Sequence, residues 1–365
     1  MSGEWVVDAD GHVIESDQQL LAYLPPPYTG QDQMLSYPFF PTLDGWHRTA
    51  RRITDPKGVH HERPTASDWL AFLDQAHIAA TVLFPTAGLA FGLIADPEWA
   101  TALARGYNDW LYDQFLKANP SRLYGIALIP VQDPLEAARE LRRAVSELGM
   151  VGAVLPAVGL ARAYGAPEFR PIYEAAQELD VMLAVHGAPS HNLGLERFQR
   201  LIEVRTLTHP LSQMIQLTSM MFGGVFDRFP RLRVAYCEAG ACWVPLIAER
   251  MDREYAARST QAPDLKQRPS EHLQSGRIFV HCELDELGLV DALKWLPDDA
   301  FFCASDYPHE LKEEFPASLD EFRQRPDIPQ ATKRKILWDN PLRLYRLDSA
   351  ALSAARGESA VAVAE

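Results

Sequence analysis

Eight short apolar, β-branched runs recur along the chain with helical patterns between them, and this alternation constrains the fold more than any other feature. The runs are VVDAD (6–10), ATVLF (80–84), LYGIALI (123–129), GAVLP (152–156), VMLAV (181–185), RVAYC (233–237), IFVHC (278–282) and FFCAS (301–305). Several are apolar almost throughout, the pattern of strands covered on both faces in a parallel sheet wrapped by helices. PLEAARELRRAVSELG (134–149) typifies the linking segments: Pro134 suits a first helical turn, Glu136 and Glu140 fall early, and Gly149 stops the run. Eight strands in about 340 ordered residues predict an α/β fold, a (β/α)8 TIM barrel, with residues 1–347 forming one catalytic domain.

Two stretches fall outside the repeat. Residues 25–66, from PPPYTG to HHERPT, are rich in Pro, aromatics and His without periodicity, and predict a long insertion after strand 1 over the barrel mouth. Residues 348–365 are small and weakly anchored, the composition of a frayed helix or flexible tail. The formal charge of -14, without a Lys/Arg-rich run, argues against nucleic acid and anionic membrane surfaces, leaving small molecules as the expected partners of a homo-oligomer. Four cysteines without C-x-x-C spacing point to a reducing compartment, the cytoplasm. No signal-like N-terminus and no window near the roughly 18 apolar residues of a membrane span is found.

In a barrel of this kind the C-terminal strand ends converge on one rim, where the chemistry is done. Strand 1 ends in Asp10-Gly-His12, strand 5 in His186-Gly187, strand 6 in Cys237-Glu238, and strand 8 in Ser305-Asp306-Tyr307-Pro308-His309. Asp10, His12, His186 and Asp306 would bring two imidazoles and two carboxylates to one point. That mixed nitrogen and oxygen set suits one divalent ion, zinc first and manganese second, with room for water or a substrate oxygen. GAVLPAVG on strand 4 offers no bridging lysine or carboxylate, so a second metal is not expected.

These residues resemble the amidohydrolase superfamily, in its amidohydrolase-2 branch, which contains aminocarboxymuconate-semialdehyde, resorcylate and carboxyvanillate decarboxylases. The resemblance runs through VVDADGHVIE, LAFLDQAHIAATVLFPTAGLAFG, PSRLYGIALIPVQDP, FGGVFDRFPRLRVAYCEAGACWVPLIAERMD, ASDYPHE and KILWDNPLRLY, nearly the whole chain apart from the insertion and the tail. It implies the same four ligands, with Asp10 standing where the first metal histidine of D-x-H-x-H would be, and a structural part for Asp8. On strand 6 the chain departs from the H-x-G-E pattern of many relatives: aligning Gly240 puts Glu238 at the histidine position.

Metal-dependent decarboxylation of a small aromatic or unsaturated carboxylic acid is the reaction this implies. Glu238 or His209 would be the proton donor, and Asp306 both a ligand and a catalytic group. Hydrolysis of an amide, lactone or carbon–carbon bond by metal-activated water is the alternative, and a degenerate ligand-binding barrel a third reading. His209 is expected in a loop or first helical turn ahead of Pro210. His309 is a candidate substrate contact or ligand support, and Phe40 and Trp46, with Tyr23, Phe39 and His47, are candidates to sandwich a planar substrate at the mouth. His281 reads as a buried strand histidine. Trp243, Pro245, Trp338 and Asn340 read as packing and capping residues.

Overall fold

The computed structural model describes residues 5–42 and 63–355. Its eight strands are β1 Val6–Val13, β2 Ile78–Pro85, β3 Leu123–Leu128, β4 Gly152–Pro156, β5 Met182–His186, β6 Arg233–Cys237, β7 Ile278–His281 and β8 Phe301–Phe302. They pair in chain order, each parallel to the next. The main outer helices are α1 Ala66–Gln75, α2 Pro97–Gln114, α3 Pro134–Leu148, α4 Arg170–Leu179, α5 Leu201–Phe222, α6 Trp243–Arg258, α7 Leu289–Ala292 and α8 Glu314–Gln324. The (β/α)8 barrel expected from the apolar runs is therefore the observed fold. Strands buried at nearly every position need both a packed interior and a helical coat. Helix α3 begins where Asp133 accepts the N–H groups of Leu135 and Glu136, and ends at Gly149, whose φ of 68° is left-handed.

β8 is only two residues long, so the barrel is closed by the segment after it. Ala9 N–H donates to Cys303 O (3.4 Å), Asp306 N–H to Asp10 O (3.1 Å) and His12 N–H to Tyr307 O (2.8 Å). Asp8, fully buried, fastens this seam. One carboxylate oxygen accepts the Ser305 N–H (2.8 Å); the other accepts the hydroxyls of Ser305 (2.8 Å) and of Thr81 on β2 (2.6 Å). Between Asp8 and Gly11 the β1–β2 register slips: three steps on β1 match two on β2, from Thr81 to Leu83. This bulge changes the alternation of side chains. Asp8 faces the helical coat beside Trp69 of α1, while Asp10 and His12 face the barrel axis. Gly11 is required there, because a Cβ would lie 2.4 Å from the Trp69 ring and 2.7 Å from Thr81 Oγ1.

Of the proposed 25–66 insertion, residues 25–42 and 63–66 are described. Phe39 and Phe40 are buried, Phe39 edge-on to Trp99 and Phe40 against Phe91, so both belong to the core. Tyr23 donates to Asp113 near the last turn of α2, at the far end of that helix from the mouth, and is therefore placed away from the position expected of it. Trp46 and His47 lie outside the described residues. In the C-terminal segment, Ser349–Ala355 is a helix whose Leu352 is fully buried, an anchor its small-residue composition concealed.

Removing the seam carboxylate strands four buried donors, the Asp10 N–H among them. Asp8→Ala is expected to lower the unfolding free energy by about 2–4 kcal/mol in urea denaturation. In a cycle with Thr81→Val the losses should fall well short of additive; additive losses would show that the two residues act independently.

Candidate metal centre

At the C-terminal rim, four side chains from three strand ends meet as their positions in the sequence predicted. His12 Nε2 lies 3.4 Å from Asp10 Oδ1 and 3.3 Å from Asp306 Oδ1, and His186 Nε2 lies 3.3 Å from Asp10 Oδ2. Both imidazoles are oriented from behind. His12 Nδ1 is 2.9 Å from Pro85 O and His186 Nδ1 2.6 Å from Gly187 O, so each carries its proton on Nδ1 and turns the Nε2 lone pair inward. His12 Nε2, His186 Nε2 and Asp10 Oδ1 are buried without a hydrogen-bond partner. Unpaired polar atoms that converge at this depth are costly unless a cation joins them, and two nitrogens with carboxylate oxygens are a donor set that a divalent ion fits.

The electrostatics agree. Burial, then the charges of Glu238 and Asp10, pushes Asp306 well above the usual carboxylate range. Burial alone would lower His186, but the nearby charges of Asp10 and Glu238 carry the ring up to about 9. Burial, with His309 and His186 nearby, holds His12 well below its ordinary value.

Glu238 follows β6 with a φ of 55°, and Asp306 has a φ of 51°; such left-handed geometry at non-glycine residues is strained and is held here by surrounding contacts. Past Glu238, the backbone is fixed by Glu286, which accepts the N–H groups of Ala241 (2.9 Å) and Cys242 (2.6 Å). Glu238 Oε2 lies 3.5 Å from His186 Nε2 and 3.5 Å from His209 Nε2. Burial opposes ionisation of Glu238, yet His209, His186 and His309 hold it below the usual carboxylate range; burial itself lowers His209.

His209 reaches the site from inside α5, not from a loop or first turn. The helix starts at Leu201, where the Arg200 N–H donates to Glu203, and it continues through Pro210. The proline suggested a helix start because the earlier cap, an arginine, lacks the usual Ser, Thr, Asp or Asn signature. His309 stacks on His12 with ring centroids 4.0 Å apart. Its Nδ1 lies 2.8 Å from Asp306 Oδ1 and its Nε2 2.8 Å from Thr86 Oγ1, so both nitrogens are engaged in orienting Asp306. His281 is buried at the end of β7, 5.8 Å from the Phe302 ring. Trp243 donates to Gly240 O, and Asn340 to the carbonyls of Asp298 and Phe301, in the packing roles expected of them.

Three supporting residues carried no sequence signal. Thr86 is placed by Glu15, whose carboxylate accepts the N–H groups of Thr86 (3.2 Å), Ala87 (2.9 Å) and Gly88 (2.9 Å). Gln213, one helical turn after His209, donates to Val185 O (3.2 Å) and Cys237 O (2.9 Å), tying the ends of β5 and β6. Phe84 packs against both imidazoles, with centroids 6.1 Å from His12 and 5.7 Å from His186.

The family model described as amidohydrolase matches residues 7–347. A 2-amino-3-carboxymuconate-6-semialdehyde decarboxylase of Dictyostelium discoideum is 28% identical over 269 residues, 72% of each chain. The crystal structure of a 5-carboxyvanillate decarboxylase from Sphingomonas paucimobilis superposes with a TM-score of 0.72 at 24% identity, covering 95% of this chain and 100% of the other. A dihydroxybenzoic acid decarboxylase from a Polaromonas species, solved with bound manganese and the inhibitor 2-nitroresorcinol, gives 0.69 at 21% identity, covering 96% and 99%. No helix among the described residues is long and apolar enough to cross a membrane.

Protein purified without chelator should carry about one equivalent of a divalent metal, falling below about 0.1 in His12→Ala and His186→Ala by elemental analysis. Added metal should raise the thermal midpoint of the wild type and leave that of the variants unchanged.

Proposed function

The chain belongs to the amidohydrolase family, and we propose that it is a metal-dependent carboxy-lyase acting on a small aromatic or unsaturated carboxylic acid. The observation that carries this reading is the convergence of Asp10, His12, His186 and Asp306, the first three with unpartnered buried atoms, beside the Glu238–His209 pair. The decarboxylases among its relatives support it. Asp10, His12, His186 and Asp306 would hold the ion, which when bound supplies Lewis-acid polarisation of the substrate's oxygen substituents. The ion is zinc or manganese. Two carboxylates in the set, and the manganese of the Polaromonas enzyme, support the latter.

The protein's own groups then manage the proton. As the bond to the carboxylate breaks and CO2 departs, its electron pair remains on the substrate carbon, which must take up one proton. His209 donates it. Glu238, ionised and 3.5 Å away, stabilises the imidazolium form and orients the ring, and a solvent proton restores the pair. His309, bonded to Thr86 and Asp306, positions Asp306. The ring of Phe84 gives the site an apolar wall suited to a planar acid.

The four free cysteines support a reducing compartment, the cytoplasm. Exposed Ile202 and Ile215 of α5 and Leu246 of α6 support homo-oligomerisation.

A panel of hydroxylated benzoates and unsaturated dicarboxylates should release CO2, with no product of amide or lactone hydrolysis from matched substrates; hydrolysis without CO2 release would replace this reading with the hydrolytic one. Glu238→Gln and His209→Asn should each lower kcat by about 10^2–10^4 with metal content unchanged. Activity within threefold of wild type in both would remove the pair from the mechanism.

A further inference from the structure

At the opposite end of the barrel a cleft of about 490 Å3 is lined by five arginines: Arg231, Arg233, Arg277, Arg343 and Arg346. Arg233 opens β6, Arg277 immediately precedes β7, and Asp180 lies just ahead of β5. The cleft is thus one strand length, roughly 15 Å, from the metal centre. In a chain of net charge -14, five guanidinium groups around one cavity reverse the local sign.

Carboxylates neutralise only part of this charge. Glu178, on the wall, is held by Arg142 at 2.7 Å, and Asp180 is shared between Arg233 and Arg346. Asp299 approaches Arg343 at 3.6 Å. The remaining donors go largely to neutral carbonyls: Arg277 to Phe226 O and Phe229 O, Arg343 to Gly276 O and Asp299 O, Arg233 to Leu344 O, and Arg231 to Gln177 O. A carbonyl satisfies an N–H but leaves the cationic charge in place. Burial draws Arg233, Arg277 and Arg343 below their ordinary values. A clamp joining strand starts accounts for these three, whereas Arg231 and Arg346 are exposed at the rim with guanidinium capacity to spare.

We propose that this cleft is a binding site for a small phosphate-bearing anion, gripped by Arg231 and Arg346 at its rim against the cationic wall of Arg277 and Arg343. Planar, multi-donor guanidinium groups match phosphate oxygens, and the cavity has the size of an ordinary small-metabolite site. The site is separate from the metal centre and does not depend on the reaction assigned there.

Isothermal titration of the metal-loaded protein with inorganic phosphate and with glycerol 3-phosphate, at fixed ionic strength and with citrate for comparison, tests this. Saturable one-site binding of both phosphates is expected, weakened at least about tenfold in Arg231→Gln/Arg346→Gln and about threefold in Arg231→Gln alone. Circular dichroism and thermal midpoint should show both variants folded. Phosphate bound at the metal centre would be untouched by these substitutions, so binding that survives them overturns the proposal. Absence of saturation, or tighter binding of citrate than of either phosphate, overturns it too.

Discussion

One buried carboxylate governs both the closure of the barrel and the aim of its site. Asp8 accepts hydrogen bonds from β2 on one side and from the segment after β8 on the other, replacing the ladder that a two-residue last strand cannot supply. The adjacent bulge lets residue 8 face the helices while residues 10 and 12 face the axis. Strict alternation from Asp8 would have turned Asp10 and His12 the same way as Asp8, into the helical coat. The bulge also makes room for the tight approach of Trp69, which is why a residue without a Cβ follows Asp10.

Once the rim is assembled, its chemistry follows from crowding. Three carboxylates and four imidazoles occupy one partly sheltered space, and their protonation is mutually dependent. Carbonyls behind His12 and His186 settle which nitrogen is free, and Thr86 and Asp306 together hold His309. The outer ring of contacts therefore determines what the inner groups can bind, as in metal sites generally.

Much of this was legible from residue order because the relevant signals are local. Strands buried on both faces spell themselves out as apolar runs, and the polar side chains at strand ends follow those runs at once, as His186 follows VMLAV. Glu238 and Asp306 were readable for the same reason. Thr86, Gln213 and Phe84 were not: their roles depend on partners from separate elements, and Thr, Gln and Phe in those segments look like ordinary loop, helix and strand residues. His209 was found as a residue but misplaced as structure, because a proline inside a helix imitates a helix start. Tyr23 was drawn toward the mouth by composition, whereas bonding to Asp113 decides where it sits.

The seam between Asp8 and Ser305 joins residues 297 positions apart in the chain. During synthesis, the first strand leaves the ribosome long before its last neighbour exists, and one edge of the growing sheet stays open until Ser305 emerges. Asp306 emerges immediately afterwards. The closing bond and the last of the four converging side chains thus arrive together, and a nascent chain interrupted anywhere earlier would have neither a sealed barrel nor a complete rim.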